Sequence, residues 1–160
     1  MMTHTVKDDE LMPTDWQNGD VAMSKTHFYM IYNNPKDGIT VRWYNKVTNE
    51  ADKHHNFKSA DDAKTWVKDV HFEYVRARYD AIVRETGLDI GQKWLNKHSN
   101  HFIIEVVMID GGFVYSRAYG HKPIVKREPS YLKNYLEKDF ILMLNSETIE
   151  QALMRCEVTA

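Results

Sequence analysis

A single cysteine, Cys156, in 160 residues excludes an internal disulfide and any zinc site built from several cysteines. No apolar run approaches the roughly 18 residues that a membrane span requires. The N-terminus carries no basic segment followed by an apolar one, so secretion is not expected and a cytoplasmic setting follows. Signature motifs are equally scarce. There is no HExxH, no Cys/His knuckle, no Gly-rich phosphate loop and no GxSxG. No cofactor and no metal are implied.

Charge of one sign is also missing. The net charge is −2, but it is unevenly spread. In residues 1–22 Lys7 stands alone against Asp8, Asp9, Glu10, Asp15 and Asp20, a net of −4, which leaves +2 for the remainder. A weakly positive body with an acidic arm is not the footprint of a dedicated DNA binder. Residues 1–22 lack periodicity and carry Pro13 and Asn18-Gly19, so they read as a disordered arm with at most a docked Trp16.

What is present is apolar periodicity, in a chain that is 42% apolar and long enough to bury a core. Residues 27–32 and 39–44 read as a hairpin around Pro35 and Asp37-Gly38, followed by a polar segment over 45–58. Ser59 then caps a helix, with Asp62 completing a capping box. Ala63, Trp66, Val67, Val70, Tyr74, Ala77, Ala81 and Ile82 keep helical spacing until Gly87 stops it. That run is roughly 40 Å long at 1.5 Å per residue, so a kink near His71 or a projecting end is expected. A projecting end would suit oligomer contact.

Ile90, Trp94 and Leu95 suggest a short helix over 90–97. A second hairpin covers 102–109 and 113–119, its first strand apolar on both faces and so central. Ser130 caps a helix burying Tyr131, Leu132, Tyr135 and Leu136. Phe140–Leu144 reads as a strand, and Ser146 opens a last helix over Ile149, Ala152, Leu153 and Cys156. The order β-β-α-α-β-β-α-β-α predicts one α+β domain over 23–160, a mainly antiparallel sheet covered by helices.

The two hairpins share a start, His27-Phe28 and His101-Phe102, and an Asp-Gly turn, which suggests a duplicated β-β-α unit. Two strand-borne histidines also resemble the two-histidine phosphoesterases. The match departs where those proteins carry a hydroxyl, because Tyr29 and Ile103 occupy the two positions. No motif assigns a family. In general look the chain resembles small phage or mobile-element accessory proteins.

Candidate site residues come from register. If Asp110-Gly111-Gly112 is a three-residue loop, Ile109 faces Phe113, Glu105 faces Arg117, and His101 faces His121. A two-residue Gly111-Gly112 loop would shift this by one. A carboxylate in a buried strand needs a partner, since an unpaired buried charge is costly, and Arg117 is the natural one. Tyr119 shares that face, with Arg42 and Tyr29 as counterparts in the first hairpin. Eight histidines, including His54-His55 and His98 with His101, give two-ligand patterns at most, below what a metal needs.

These features predict a non-enzymatic binding module, a homo-oligomer recognising a partner protein or a small anionic, nucleotide-like ligand. A small hydrolase or lyase using Glu105 or His101 as general base is one alternative. A nucleic-acid binder is another, not favoured: Lys122, Lys126, Arg127 and Lys133 alternate with Tyr119, Tyr131 and Tyr135, but acidic residues intersperse them. Replacing Arg117 with Ala is expected to abolish ligand or partner binding, read by titration, while the thermal midpoint stays in place.

Overall fold

The computed structural model describes residues 16–17, 19–99, 101–121 and 123–159. It is an α+β fold built on two antiparallel sheets. The described residues fall into two compact units, one ending at Ala77 and the other beginning at Arg78. Among the described residues no helix is long and apolar enough to cross a membrane.

In the first unit five strands follow in sequence order: β1 (Trp16–Gln17), β2 (Val21–Met23), β3 (His27–Asn34), β4 (Gly38–Asn45) and β5 (Ala51–Phe57). Most of the acidic arm, residues 1–15 and 18, lies outside the described residues. Its end does not read as predicted: Trp16 pairs with Ala22, and Ala22 is buried against the sheet's inner side. The polar segment over 45–58 holds a strand as well. β5 pairs with β4 from Tyr44↔Ala51 to Ile39↔Phe57, with one irregularity opposite Ile39/Val41. Backbone pairing needs no apolar side chains, and an edge strand this polar resists joining other sheets.

The turn into β5 is set by Asn45. Its buried side-chain oxygen accepts from the Val47 N–H (2.9 Å) and the Thr48 N–H (3.1 Å). Ser59 caps the following helix as the sequence predicts, its Oγ accepting from the Asp62 N–H at 3.0 Å. The helix, α1, runs through Ala60–Trp66, a π-helical turn Val67–His71, and Phe72–Thr86. Gly87, at φ +71°, ends it. The π turn ends at His71, the position near which the sequence suggests a kink.

The reason for the π turn lies in what it brings together. Trp66 and His71 are five residues apart and stack at 5.3 Å, 26°. In a regular α-helix residues five apart point about 140° from one another. The i→i+5 bond, Phe72 N–H to Val67 O, closes that angle. His71 then packs on Trp43 (4.4 Å) and edge-on to Tyr29 (5.6 Å), over a core of Tyr29, Ile31, Val41, Ala63 and Val67.

The second unit's sheet has the order β10-β6-β7-β8-β9. The strands are β6 (Lys93–Asn96), β7 (Ile103–Asp110), β8 (Phe113–Ala118), β9 (Val125–Arg127) and β10 (Phe140–Leu142). The helix expected over 90–97 is therefore strand β6. Trp94 and Leu95 are adjacent and both buried, one on each face of the sheet. Four residues are too few for apolar periodicity to separate helix from strand.

β7 is central and covered on both faces. Helix α2 (Pro129–Asp139) buries Leu132 and Leu136, while Lys133 lies over the Trp94 ring and Tyr135 against Phe140. Tyr131 and Tyr135, expected inward, are exposed. The cap residue is Glu128, with Pro129 in the first helical position where its missing N–H costs nothing. On the other face, α3 (Ile149–Thr159) sets Ala152 against Leu95 and Ile103. Its start is fixed by Thr148, not Ser146. Thr148 N–H donates to Gln151 Oε1 (2.9 Å), and Gln151 N–H donates to Thr148 Oγ1 (3.1 Å).

The turn joining β7 and β8 holds Gly112 at φ +86°, where an added Cβ would stand 2.0 Å from the Arg78 guanidinium. Gly112→Ala should cost about 1–2 kcal/mol in urea unfolding, part from backbone strain and part from displaced Arg78. In an Arg78→Ala background the cost should shrink to the backbone part alone, and an equal cost in both backgrounds would remove Arg78 from the account.

Candidate functional site

The second hairpin closes through a two-residue Gly111-Gly112 loop, with Asp110 opposite Phe113 and Ile109 opposite Val114. The three-residue loop in the sequence reading is thus corrected. The pairing it implied at Glu105 survives, because β7 carries an irregularity between Val106 and Met108. The extra residue there restores the lost step, and Glu105 faces Arg117.

β6 adds a third member, since Lys93 pairs with Glu105 on its other side. A row Lys93–Glu105–Arg117 therefore crosses three strands on one face, with Glu105 half-buried and both cations exposed. Tyr119 joins the same face: its N–H donates to Ile103 O at 2.9 Å, which continues the ladder. The Lys93 ammonium lies 5.6 Å from the Tyr119 ring centre. A hydrogen bond to the Tyr119 hydroxyl, aided by the Glu105 carboxylate, holds Lys93 above the usual lysine range.

Beside this row opens a cleft of about 640 Å³. One wall is residues 90–93 with Ile103 and Tyr119, and the other is the loop 142–147. The size lies within the range of small-molecule sites. Apolar carbon comes from Ile103, Leu142 and Met143, and polar groups from Gln92, Lys93, Tyr119, Asn145, Ser146 and the Glu147 carboxylate, whose charge is taken up by Arg155.

Arg155, on α3, fixes the loop. Its Nε donates to Glu147 Oε2 (2.9 Å), and its Nη2 donates to Glu147 Oε1 (3.0 Å) and to Leu142 O (2.7 Å). The Leu144 N–H donates to Glu147 Oε1 at 2.9 Å. This bidentate clamp, and then the Leu144 N–H, hold the Glu147 carboxyl below its ordinary value of 4.5. Arg155 is held above its own usual value by the same bonds.

Of the residues expected to form a site, Glu105, Arg117 and Tyr119 come together. His101 and His121 do not pair across the ladder. Both are exposed, and the chain turns at Gly120 (φ +81°), where the His121 N–H donates to Ala118 O. The remaining two are in the first unit and share no face. Tyr29 is buried against Trp43 and His71, while Arg42, paired with Met30, is exposed on the opposite side. His27 is buried with its Nδ1 2.7 Å from Thr26 Oγ1, whereas its supposed counterpart His101 is exposed. Among the described residues no three His, Cys, Asp or Glu side chains converge as a metal site would require.

Lys93 and Glu147 were not anticipated. Lys93 fell inside the segment read as helix. The Thr148/Gln151 capping pair is a usable signal for Glu147, because it places the helix start two residues later and leaves Glu147 in the loop.

The depressed Glu147 carboxyl gives a signed pH effect. A carboxyl lowered by folding stabilises the protein above its unfolded value near 4.5, and that contribution is lost as pH falls through the lower folded value. Arg155→Ala should therefore cost about 1–2 kcal/mol at pH 7 and flatten the loss of thermal midpoint below pH 4.5. An unchanged acid limb would show that the clamp carries no stability. Comparison with protein-family models, with curated proteins and with solved structures returns no match to this chain, so what the cleft does follows from its own chemistry.

Proposed function

We propose that the protein is a non-enzymatic binding module whose second unit takes a small anionic ligand, nucleotide-like in having a planar apolar body. The observation that carries this is the placement of the Lys93 ammonium, 5.6 Å from the Tyr119 ring centre, at the wall of a cleft with apolar carbon from Ile103, Leu142 and Met143. An ammonium there pairs with phosphate or carboxylate, and the Tyr119 ring offers a flat surface. Arg117, further along the same row, adds positive potential at the rim. The Glu147–Arg155 clamp presets the opposite wall, which lowers the ordering cost of binding.

Exposed Tyr131 and Tyr135, one turn apart on α2, favour a protein partner, which a second copy of the chain would also satisfy. A cytoplasmic setting agrees with the single cysteine, which is half-buried in α3.

The test is calorimetric titration with inorganic phosphate and adenosine monophosphate. Adenosine monophosphate should bind more tightly than phosphate, and Lys93→Ala should weaken both by about tenfold or more with the thermal midpoint kept. Equal affinity in Lys93→Ala, or no heat with either probe, would overturn the assignment.

A further inference from the structure

The first unit carries a second surface that the cleft does not use. α1 covers only the inner face of its sheet, the side of Tyr29, Ile31 and Val41. Alternation along the strands sends the neighbouring positions to the other face. Two cross-strand rows result there: Val21–Met30–Arg42–Lys53 and Met23–Phe28–Tyr44–Ala51.

These rows have an unusual chemistry for a solvated face. Met23 is 53% exposed, and Met30 and Tyr44 are each 36% exposed. Phe28 and Tyr44 stack across β3 and β4 at 5.1 Å, 28°. Arg42 stands two residues from Tyr44 on the same strand, and Lys53 lies beside it on β5. Among the described strand residues whose register puts them on this face, none is acidic. Asp37, from the β3–β4 turn, reaches Lys53 at 3.5 Å but leaves half of that side chain exposed.

We propose that this face binds single-stranded nucleic acid. Flat aromatic carbon on adjacent strands gives unpaired bases a stacking surface, and cations within two residues of it meet the phosphates that those bases carry. A second copy of the chain would bury the methionines but, packed through this same face, would offer Arg42 and Lys53 no acidic residue from its described strands. A duplex offers no open base faces, and a chain of net charge −2 lacks the broad basic field that duplex binding uses. The site is separate from the Lys93 cleft, and either can fail alone.

The experiment is fluorescence anisotropy of the full chain with a labelled oligothymidylate of about 12 nucleotides and a duplex of equal length. Saturable binding to the single strand, weaker binding to the duplex and a fall with added salt are expected. Tyr44→Ala should weaken the single-strand complex about fivefold or more. Arg42→Ala with Lys53→Ala should make the salt slope shallower by roughly 1.4, two phosphates' worth. Lys126→Ala with Arg127→Ala, on the second unit, should leave binding unchanged. All these side chains are exposed, so circular dichroism should report an unaltered fold. Three results would overturn the proposal: no saturable binding, loss in the Lys126/Arg127 variant with the sheet variants unaffected, or a sedimenting dimer that Met30→Glu dissolves.

Discussion

One extra residue in β7, between Val106 and Met108, sets the register on which the second unit's chemistry depends. A two-residue glycine turn holds Asp110 opposite Phe113, and an unbroken ladder from there would place Glu105 one step away from Arg117. Side chains alternate with a period of two, so that single step would also exchange the two faces of the strand. The bulge absorbs the mismatch. Val106 stays buried on one side, and Glu105 stays in line with Lys93 and Arg117 on the other.

The cleft beside this row is made of parts held by different forces. Its strand wall is rigid because β7 is central and covered by α2 on one face and α3 on the other. Its other wall leaves the sheet after Leu142, which pairs with Trp94, and the Met143 N–H bond to Lys93 O; from there to Glu147 it is irregular and includes Ser146 at φ +63°. Charge-assisted bonds from Arg155 replace the missing ladder there. They tie the loop to α3, the same helix that buries Ala152 against the sheet. Both walls thus refer to one helix, which keeps their spacing fixed.

The first unit resolves a different conflict. A helix that buries Val67 and also stacks Trp66 on His71 cannot do so with 3.6 residues per turn. The π turn widens the spiral for five residues, and a ring cluster of Tyr29, Trp43, Trp66 and His71 fills the space between sheet and helix. His54, exposed on β5, extends it by stacking on Trp66 at 4.7 Å and 9°. With the aromatic bulk gathered on the inner face, the aromatic and methionine side chains on the outer face stand on a side that no described element of this unit covers.

The sequence by itself determined the local elements whose cause is local. Ser59 with Asp62 starts α1, Gly87 ends it, and the β3–β4 and β7–β8 hairpins follow from apolar runs around Asp-Gly turns. Glu105 opposite Arg117 was legible only through a loop length that proved wrong and a bulge that compensated for it. β5 and β6 were misread or missed because a polar edge strand and a four-residue buried strand carry no periodic signal of their own. Tertiary structure alone decided that Lys93 meets Tyr119, that Glu147 meets Arg155, and that Tyr29 and Arg42 part to opposite faces. Such meetings depend on strand order and on which face each helix covers, and neither is encoded in the spacing of neighbouring residues.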